Sequence, residues 1–356
     1  GRAYISENMY VARTFAIFFP MIAIFTNLGL AIVIGLGGRL TILGQITTGD
    51  FVAFISYLNL LTWPMMAIGW VTNLIQRGAA SMRRINWILD EVPEISDPYE
   101  TAEVHEIRGN IRFKGLSLKY PGHTGFAIKE INLAVEAGQT VAFVGRVGSG
   151  KTTLFHMIPR LFEAPPGTVF IDGTDLHDIP LKILRENIGF VTQEAVIFSD
   201  TIRNNVLFGR VDISDQDLES ALRIAQIYEE IQGFEKGLDT LLGERGITLS
   251  GGQRQRLTIA RALIKDPPIL ILDDALAMVD MRTEEKILNA ILSMRKDKTN
   301  LIVSHRLSTI SRADLIVVLD EGEVVEAGEH KTLLEKGKEY PRLYQRQLLA
   351  EELEVR

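Results

Sequence analysis

The chain has 356 residues, a formal net charge of −7 and no cysteine. That length allows two domains, each with its own buried core. An acidic balance without a basic stripe argues against a nucleic-acid partner, and the missing cysteines exclude disulfides and thiolate metal sites and fit a reducing compartment.

Hydrophobicity is concentrated in the first 80 or so residues. Residues 14–38 carry no charge between Arg13 and Arg39, and residues 51–76 none between Asp50 and Arg77. Both runs exceed the ~20 residues a helix needs to cross the hydrocarbon core. Two transmembrane helices are therefore predicted, at 10–39 and 50–89, joined as a hairpin by the short uncharged link 40–48, with Pro20 and Pro64 as kink sites. Arg77, Arg83 and Arg84 follow the second run, a bias that places both ends of the hairpin in the cytoplasm. The second helix is expected to run past the membrane to Leu89 and to break before Pro93 and Pro98. The division read from this is a transmembrane domain 1–90, a linker 91–105, an α/β domain 106–346 and a tail 347–356. Opening on Gly1 with only two spans, the chain reads as the C-terminal part of a longer membrane protein.

Strands are predicted at 111–120, 131–135, 140–144, 168–171, 188–192, 269–272, 301–304, 315–319 and 324–327. The early ones lie close together. The later ones are Val/Ile/Leu-rich and separated by helices, as a parallel sheet covered on both faces requires.

Between strand 140–144 and a predicted helix 153–162 lies Gly145-Arg146-Val147-Gly148-Ser149-Gly150-Lys151-Thr152, which fits G-x-x-x-x-G-K-[ST] at every fixed position. A strand entering a glycine-rich turn and then a helix aims backbone N–H groups and the positive helix end, at Thr152 and Thr153, at one point. Lys151 can reach the β- and γ-phosphates of a nucleoside triphosphate, and the Thr152 hydroxyl can hold Mg²⁺. A second phosphate-binding helix start follows at Leu249-Ser250-Gly251-Gly252-Gln253, ahead of a predicted helix 253–264. One chain cannot apply both sites to one nucleotide, so the sequence implies a partner.

Taken in order, these motifs resemble those of ATP-binding cassette (ABC) exporters. Leu249 to Gln253 fits the LSGGQ signature and 269–273 the Walker B strand. Gln193 resembles the Q-loop glutamine, Asp280 the D-loop aspartate, His305 the switch histidine and Tyr120 the adenine-stacking aromatic. The resemblance implies transmembrane helices followed by an α/β P-loop domain, with a RecA-like core, an antiparallel β subdomain and a helical signature subdomain. It also implies ATP with Mg²⁺ as cofactors. A head-to-tail dimer follows, in which each signature caps the ATP held by the other subunit, and Gly243-Glu244-Arg245-Gly246 resembles the exporter loop that meets the transmembrane coupling helices. The cargo implied is a hydrophobic drug or lipid, and the location a plasma (bacterial inner) membrane with the nucleotide domain cytoplasmic.

Residue chemistry supports each role beside the resemblance. Tyr120 offers a flat ring for adenine, although alone it reads better as a strand-edge aromatic. Asp273 ends an apolar strand where a carboxylate can meet Mg²⁺ beside Thr152. Gln193 ends another strand, within reach of Mg²⁺ or the attacking water, and His305 a third, near the γ-phosphate, since strand ends converge on the ligand crevice in such folds.

One position departs from the family pattern. Efficient family members carry glutamate after the Walker B aspartate, and this chain carries Asp274. Its carboxylate is drawn back by ~1–1.5 Å, whereas a general base must lie within about 2.6–3.2 Å of its proton. A slow pocket is expected, as in the subunit it is similar to, the degenerate-site half of bacterial heterodimeric multidrug exporters. The partner is then a second half-transporter bearing a glutamate. The competing readings are a homodimer with a working Asp274 and a nucleotide-gated channel.

Overall fold

A computed structural model of the chain describes residues 2–97, 106–243, 249–304, 306 and 310–354. It divides into two compact units, Gly1–Pro93 and Glu94–Arg356.

The first unit is helical. Helix α1 (Arg2–Ile32) passes through a π-helical turn, Val33–Gly37, into α2 (Gly38–Ile42), and α3 occupies Thr48–Leu89. The stretches Asn8–Ile42 and Thr48–Leu89 are each long and apolar enough to cross a bilayer. Helix runs beyond both ends of the expected 10–39, and Pro20 and Pro64 lie inside unbroken helices. The connection is shorter than the expected 40–48 because a capping box starts α3 at once. Thr47 Oγ1 accepts from the Asp50 N–H at 3.1 Å, and Asp50 Oδ2 accepts from the Thr47 N–H at 3.1 Å.

The second unit begins with β1 (Ile111–Leu118), β2 (Ile128–Val135), β3 (Thr140–Val144), α4 (Lys151–Met157), β4 (Val169–Ile171) and β5 (Thr174–Asp175). There follow α5 (Leu181–Glu186), β6 (Ile188–Val191), α6 (Ile202–Leu207), α7 (Asp215–Ile224), α8 (Tyr228–Gln232) and α9 (Gly251–Leu263). The last part holds β7 (Ile269–Asp273), α10 (Met281–Met294), β8 (Thr299–Val303), β9 (Leu315–Asp320), β10 (Glu323–Gly328), α11 (His330–Lys336) and α12 (Glu339–Glu354). One sheet is antiparallel, ordered β2-β1-β4-β5; the other has six strands, ordered β10-β9-β3-β8-β7-β6.

Alternation explains why the central strands read as continuous apolar runs. Ile269 and Ile271 face a core shared with the antiparallel sheet and α4, while Leu270 and Leu272 face a second core built with α7, α9 and α10. On β3 and β9 the odd positions Val141, Phe143, Val317 and Leu319 enter the first core. Their neighbours Ala142, Val144, Ile316 and Val318 pack under a third, with Leu333 and Tyr340. Both faces are buried, so no polar position is left to show a period.

The expected all-parallel arrangement fails at one edge. β10 pairs antiparallel with β9, because no helix separates them: Glu321 and Gly322, both at positive φ (46° and 83°), form a two-residue hairpin turn. The helix after the phosphate loop is also shifted. It starts at Lys151 and stops at Met157 rather than occupying 153–162. Pro159 cannot continue it, and Arg160 adopts a left-handed φ of 50°. Strand β1 ends at Leu118, so Tyr120 lies past it, at the start of the following turn, although the expected strand 111–120 included it. At the C-terminal end, α12 runs on to Glu354, through most of the stretch 347–356 expected as a tail.

Candidate nucleotide site

Parallel topology places the candidate residues. Strands β3, β8, β7 and β6 are adjacent and parallel, so their carboxyl ends lie on one edge, where open α/β sheets bind ligands. Phe143 and Asp273 both pair with Val303. The phosphate loop, Asp273 and Ser304 therefore leave the sheet at one level, and Gln193 follows β6 two strands from β8.

The phosphate loop has a built-in shape. A Cβ on Gly145 would lie 2.2 Å from the Leu319 carbonyl oxygen on β9, so only glycine fits. Arg146, Val147 and Gly148 are exposed, whereas Ser149, Lys151 and Thr153 are buried. The Lys151 ammonium donates to the carbonyls of Gly145 and Arg146, both at 2.8 Å, and to Ser149 Oγ at 3.2 Å. Burial lowers its pKa, with Asp273 and Asp274 pulling the other way.

Thr152 Oγ1 lies 3.3 Å from Asp273 Oδ1, while Asp273 Oδ2 is buried with no hydrogen-bond partner. Burial raises the Asp273 pKa, offset in part by the Thr152 bond and the nearby His156. A hydroxyl and a carboxylate with a spare buried oxygen form a hard donor pair that suits Mg²⁺, which takes few protein ligands alongside phosphate oxygens. Tyr120 joins the same group. Its hydroxyl is 2.9 Å from Thr153 Oγ1, and its ring packs edge-on against Phe162 at 5.5 Å between centroids.

A second group forms around α9. Ser250 is its N-cap: Ser250 Oγ accepts from the Gln253 N–H at 3.2 Å, and Gln253 Oε1 accepts from the Ser250 N–H at 2.9 Å. The signature glutamine is thus part of a capping box, a role the motif alone did not show. Leu249 is buried. Opposite, Asp280 caps α10 by accepting the Thr283 N–H at 3.0 Å, and bonds from Thr283 hold its carboxyl below the usual range. Ser250, Gly251, Gly252, Met278 and Asp280 line a cleft of about 460 Å³. A Cβ on Gly252 would meet the Met278 carbonyl oxygen at 2.8 Å, so the second signature glycine is imposed by the backbone before Asp280.

Asp274 is half-buried, immediately after β7, at a left-handed φ of 51°. Among non-glycine residues, aspartate and asparagine accept that conformation most readily. Gln193 is exposed, and its carbonyl faces α9. His305 and residues 244–246 lie outside the described residues. Among the described residues, no hydrogen bond joins the group at Lys151, Thr152 and Asp273 to Ser250, Gly251 or Gly252.

Residues 128–277 match the family model described as ABC transporter. The chain belongs to the ABC transporter family. It is 40% identical over 343 residues to the probable multidrug resistance ABC transporter ATP-binding/permease protein YheI of Bacillus subtilis (strain 168), covering 96% of this chain and 58% of that one. With the ATP-dependent lipid A-core flippase of Syntrophus aciditrophicus (strain SB) it shares 42% identity over 328 residues, 92% of this chain and 54% of the relative. A solved bacterial Atm1-family ABC exporter with ATP bound matches with a TM-score of 0.74 at 36% identity, over 85% of this chain and 53% of that one. Two apolar helices ahead of a domain of mixed sheets follow the ABC exporter fold. The chain spans little more than half the length of the curated relatives it matches.

Two residues of this ABC domain that the motif reading passed over hold its loops together. Gln255 is buried and bonds two backbones. Arg306 donates to the Val279 carbonyl at 2.9 Å and pairs with Glu284 at 2.5 Å. Helical spacing could have flagged Gln255, which lies three and four residues before the buried Thr258 and Ile259.

Proposed function

We propose that the chain is the ATP-binding subunit of an exporter that couples ATP binding and hydrolysis to outward movement of a hydrophobic or amphipathic drug or lipid. The observation that supports this reading is that, among the described residues, no hydrogen bond joins the group at Lys151, Thr152 and Asp273 to the group at Ser250, Gly251 and Gly252; in this reading both groups bind phosphate. Each is half of a pocket, so a second ABC subunit completes both.

In this reading Lys151 and the N–H groups of the phosphate loop bind the phosphates, and Tyr120, held by Thr153, stacks on the adenine. Thr152, Asp273 and Gln193 would hold Mg²⁺, whose bound charge neutralises the phosphate oxygens. Asp274 acts as the base for the attacking water, with His305 and Gln193 as its catalytic partners, and takes the proton slowly because its carboxylate stops short. The partner is a different chain with a glutamate base, and the faster pocket is the one that uses this chain's signature. The helices span the plasma membrane with the nucleotide domain in the cytoplasm.

The test is uphill accumulation of an amphipathic dye in inside-out vesicles carrying the full-length protein. An ATP-dependent gradient that Lys151→Ala abolishes is expected. Equilibration without a gradient would establish a passive channel instead.

A further inference from the structure

Gln255 sits two residues past the signature glutamine, inside the polar run Gln253-Arg254-Gln255-Arg256, yet it is only 2% exposed. A buried carboxamide must satisfy a donor and an acceptor at once. Its oxygen accepts from the Met278 N–H at 2.9 Å, and its nitrogen donates to the Gln193 carbonyl at 3.4 Å. These partners fix the amide's orientation, since a flipped amide would set donor against donor and acceptor against acceptor.

The two backbones it joins lead to different parts of the site. Gln193 follows β6. Met278 lies between Asp274 and Asp280, and it touches the start of α9 twice more: its sulfur and its carbonyl oxygen each stand 2.8 Å from where a Cβ on Gly251 or Gly252 would be. The segment 274–280 is therefore keyed into the first turn of α9 by contact and to its second turn by a hydrogen bond.

We propose that Gln255 is a positioning residue that makes the loop at Gln193, the signature turn and the segment 274–280 move as one body. This rests on the exporter reading above. The residues so joined serve both pockets: Gln193 and Asp274 face this chain's own nucleotide, and Ser250 and Asp280 face the one across the dimer. Loss of the bridge slows turnover whichever pocket is the faster.

The experiment compares Gln255→Met and Gln255→Glu in the intact transporter. Steady-state ATP hydrolysis, equilibrium binding of a fluorescent ATP analogue and hydrogen exchange over residues 274–280 are measured. Gln255→Met, matched in volume but without either hydrogen bond, is expected to lower kcat by about 10–100-fold, with nucleotide affinity changed by no more than about twofold. Exchange at the Met278 amide should quicken. Gln255→Glu keeps the acceptor for Met278 and loses the donor to Gln193, so protection of that amide should persist while kcat still falls. Wild-type kcat in either variant overturns the proposal, as does a parallel fall in kcat and affinity, or unchanged exchange in Gln255→Met. Failure of the wild type to hydrolyse ATP would sink the exporter reading instead, and the exchange comparison would still decide the bridge.

Discussion

Lengthening the carboxylate at position 274 tests the slow-pocket reading most directly. Asp274→Glu adds one methylene, advancing the carboxylate by ~1–1.5 Å. Misplacement of ~1 Å costs about a hundredfold in rate, equivalent to ~2.7 kcal/mol of barrier. Against this stands the backbone: φ is 51°, and a longer side chain in the left-handed region costs ~1–2 kcal/mol that aspartate partly escapes. That penalty falls on stability and leaves most of the gain in rate. The assay is ATP turnover by the assembled transporter after the second subunit has lost its own base, so that only this pocket is read. A rise of about 10–100-fold is expected. An unchanged rate would refute the argument that reach limits this pocket.

Three further expectations follow from the geometry. Gly252→Ala places a methyl 2.8 Å from the Met278 carbonyl, where ordinary contact begins at 3.4 Å. ATP turnover should drop by about 10–100-fold, while binding of a fluorescent nucleotide to the phosphate loop persists. Tyr120→Ala should weaken ATP binding about tenfold, by loss of ring contact, whereas Tyr120→Phe should stay within about threefold although it loses the bond to Thr153; equilibrium titration distinguishes them. Glu326 accepts the N–H groups of Lys338, Glu339 and Tyr340. Burial pushes its carboxyl up, but the three bonds outweigh it and hold the pKa below the usual range. Its stabilisation is thus full above the unfolded value near ~4.3 and lost as pH falls through the lower folded one. Glu326→Gln should cost about 1 kcal/mol at neutral pH and nothing in stronger acid, so the two urea-pulse proteolysis curves converge there.

What was legible in the sequence follows from how each signal arises. Strand β3 is legible at its full extent because all five residues from Thr140 to Val144 are buried. The sequence pattern starts strand β2 late, at 131 rather than Ile128. Lys129 and Glu130 look like a turn, and Glu130 does adopt a φ of 49° where the pairing with β1 shifts. The expected helix 153–162 overshoots the short α4 because apolar spacing continues past Pro159, which the pattern ignores and the backbone cannot. Motifs placed Lys151, Thr152 and Asp273 on the correct strand and helix ends, since each is tied to the element that carries it. Helical spacing marks Gln255 as a buried position but not what it binds, because its partners are backbone groups of segments that lie 62 and 23 residues away, and no side-chain pattern encodes them.

The ammonium of Lys151 has three hydrogens, and three oxygens of its own loop take them. A phosphate that enters must therefore displace a resident acceptor, so its binding is an exchange and the net gain is a difference. Much of the attraction expected of a buried cation is already spent on keeping the cradle in shape. A substitution that frees one of those hydrogens, such as Ser149→Ala, could hold triphosphate more tightly at the cost of a looser cradle.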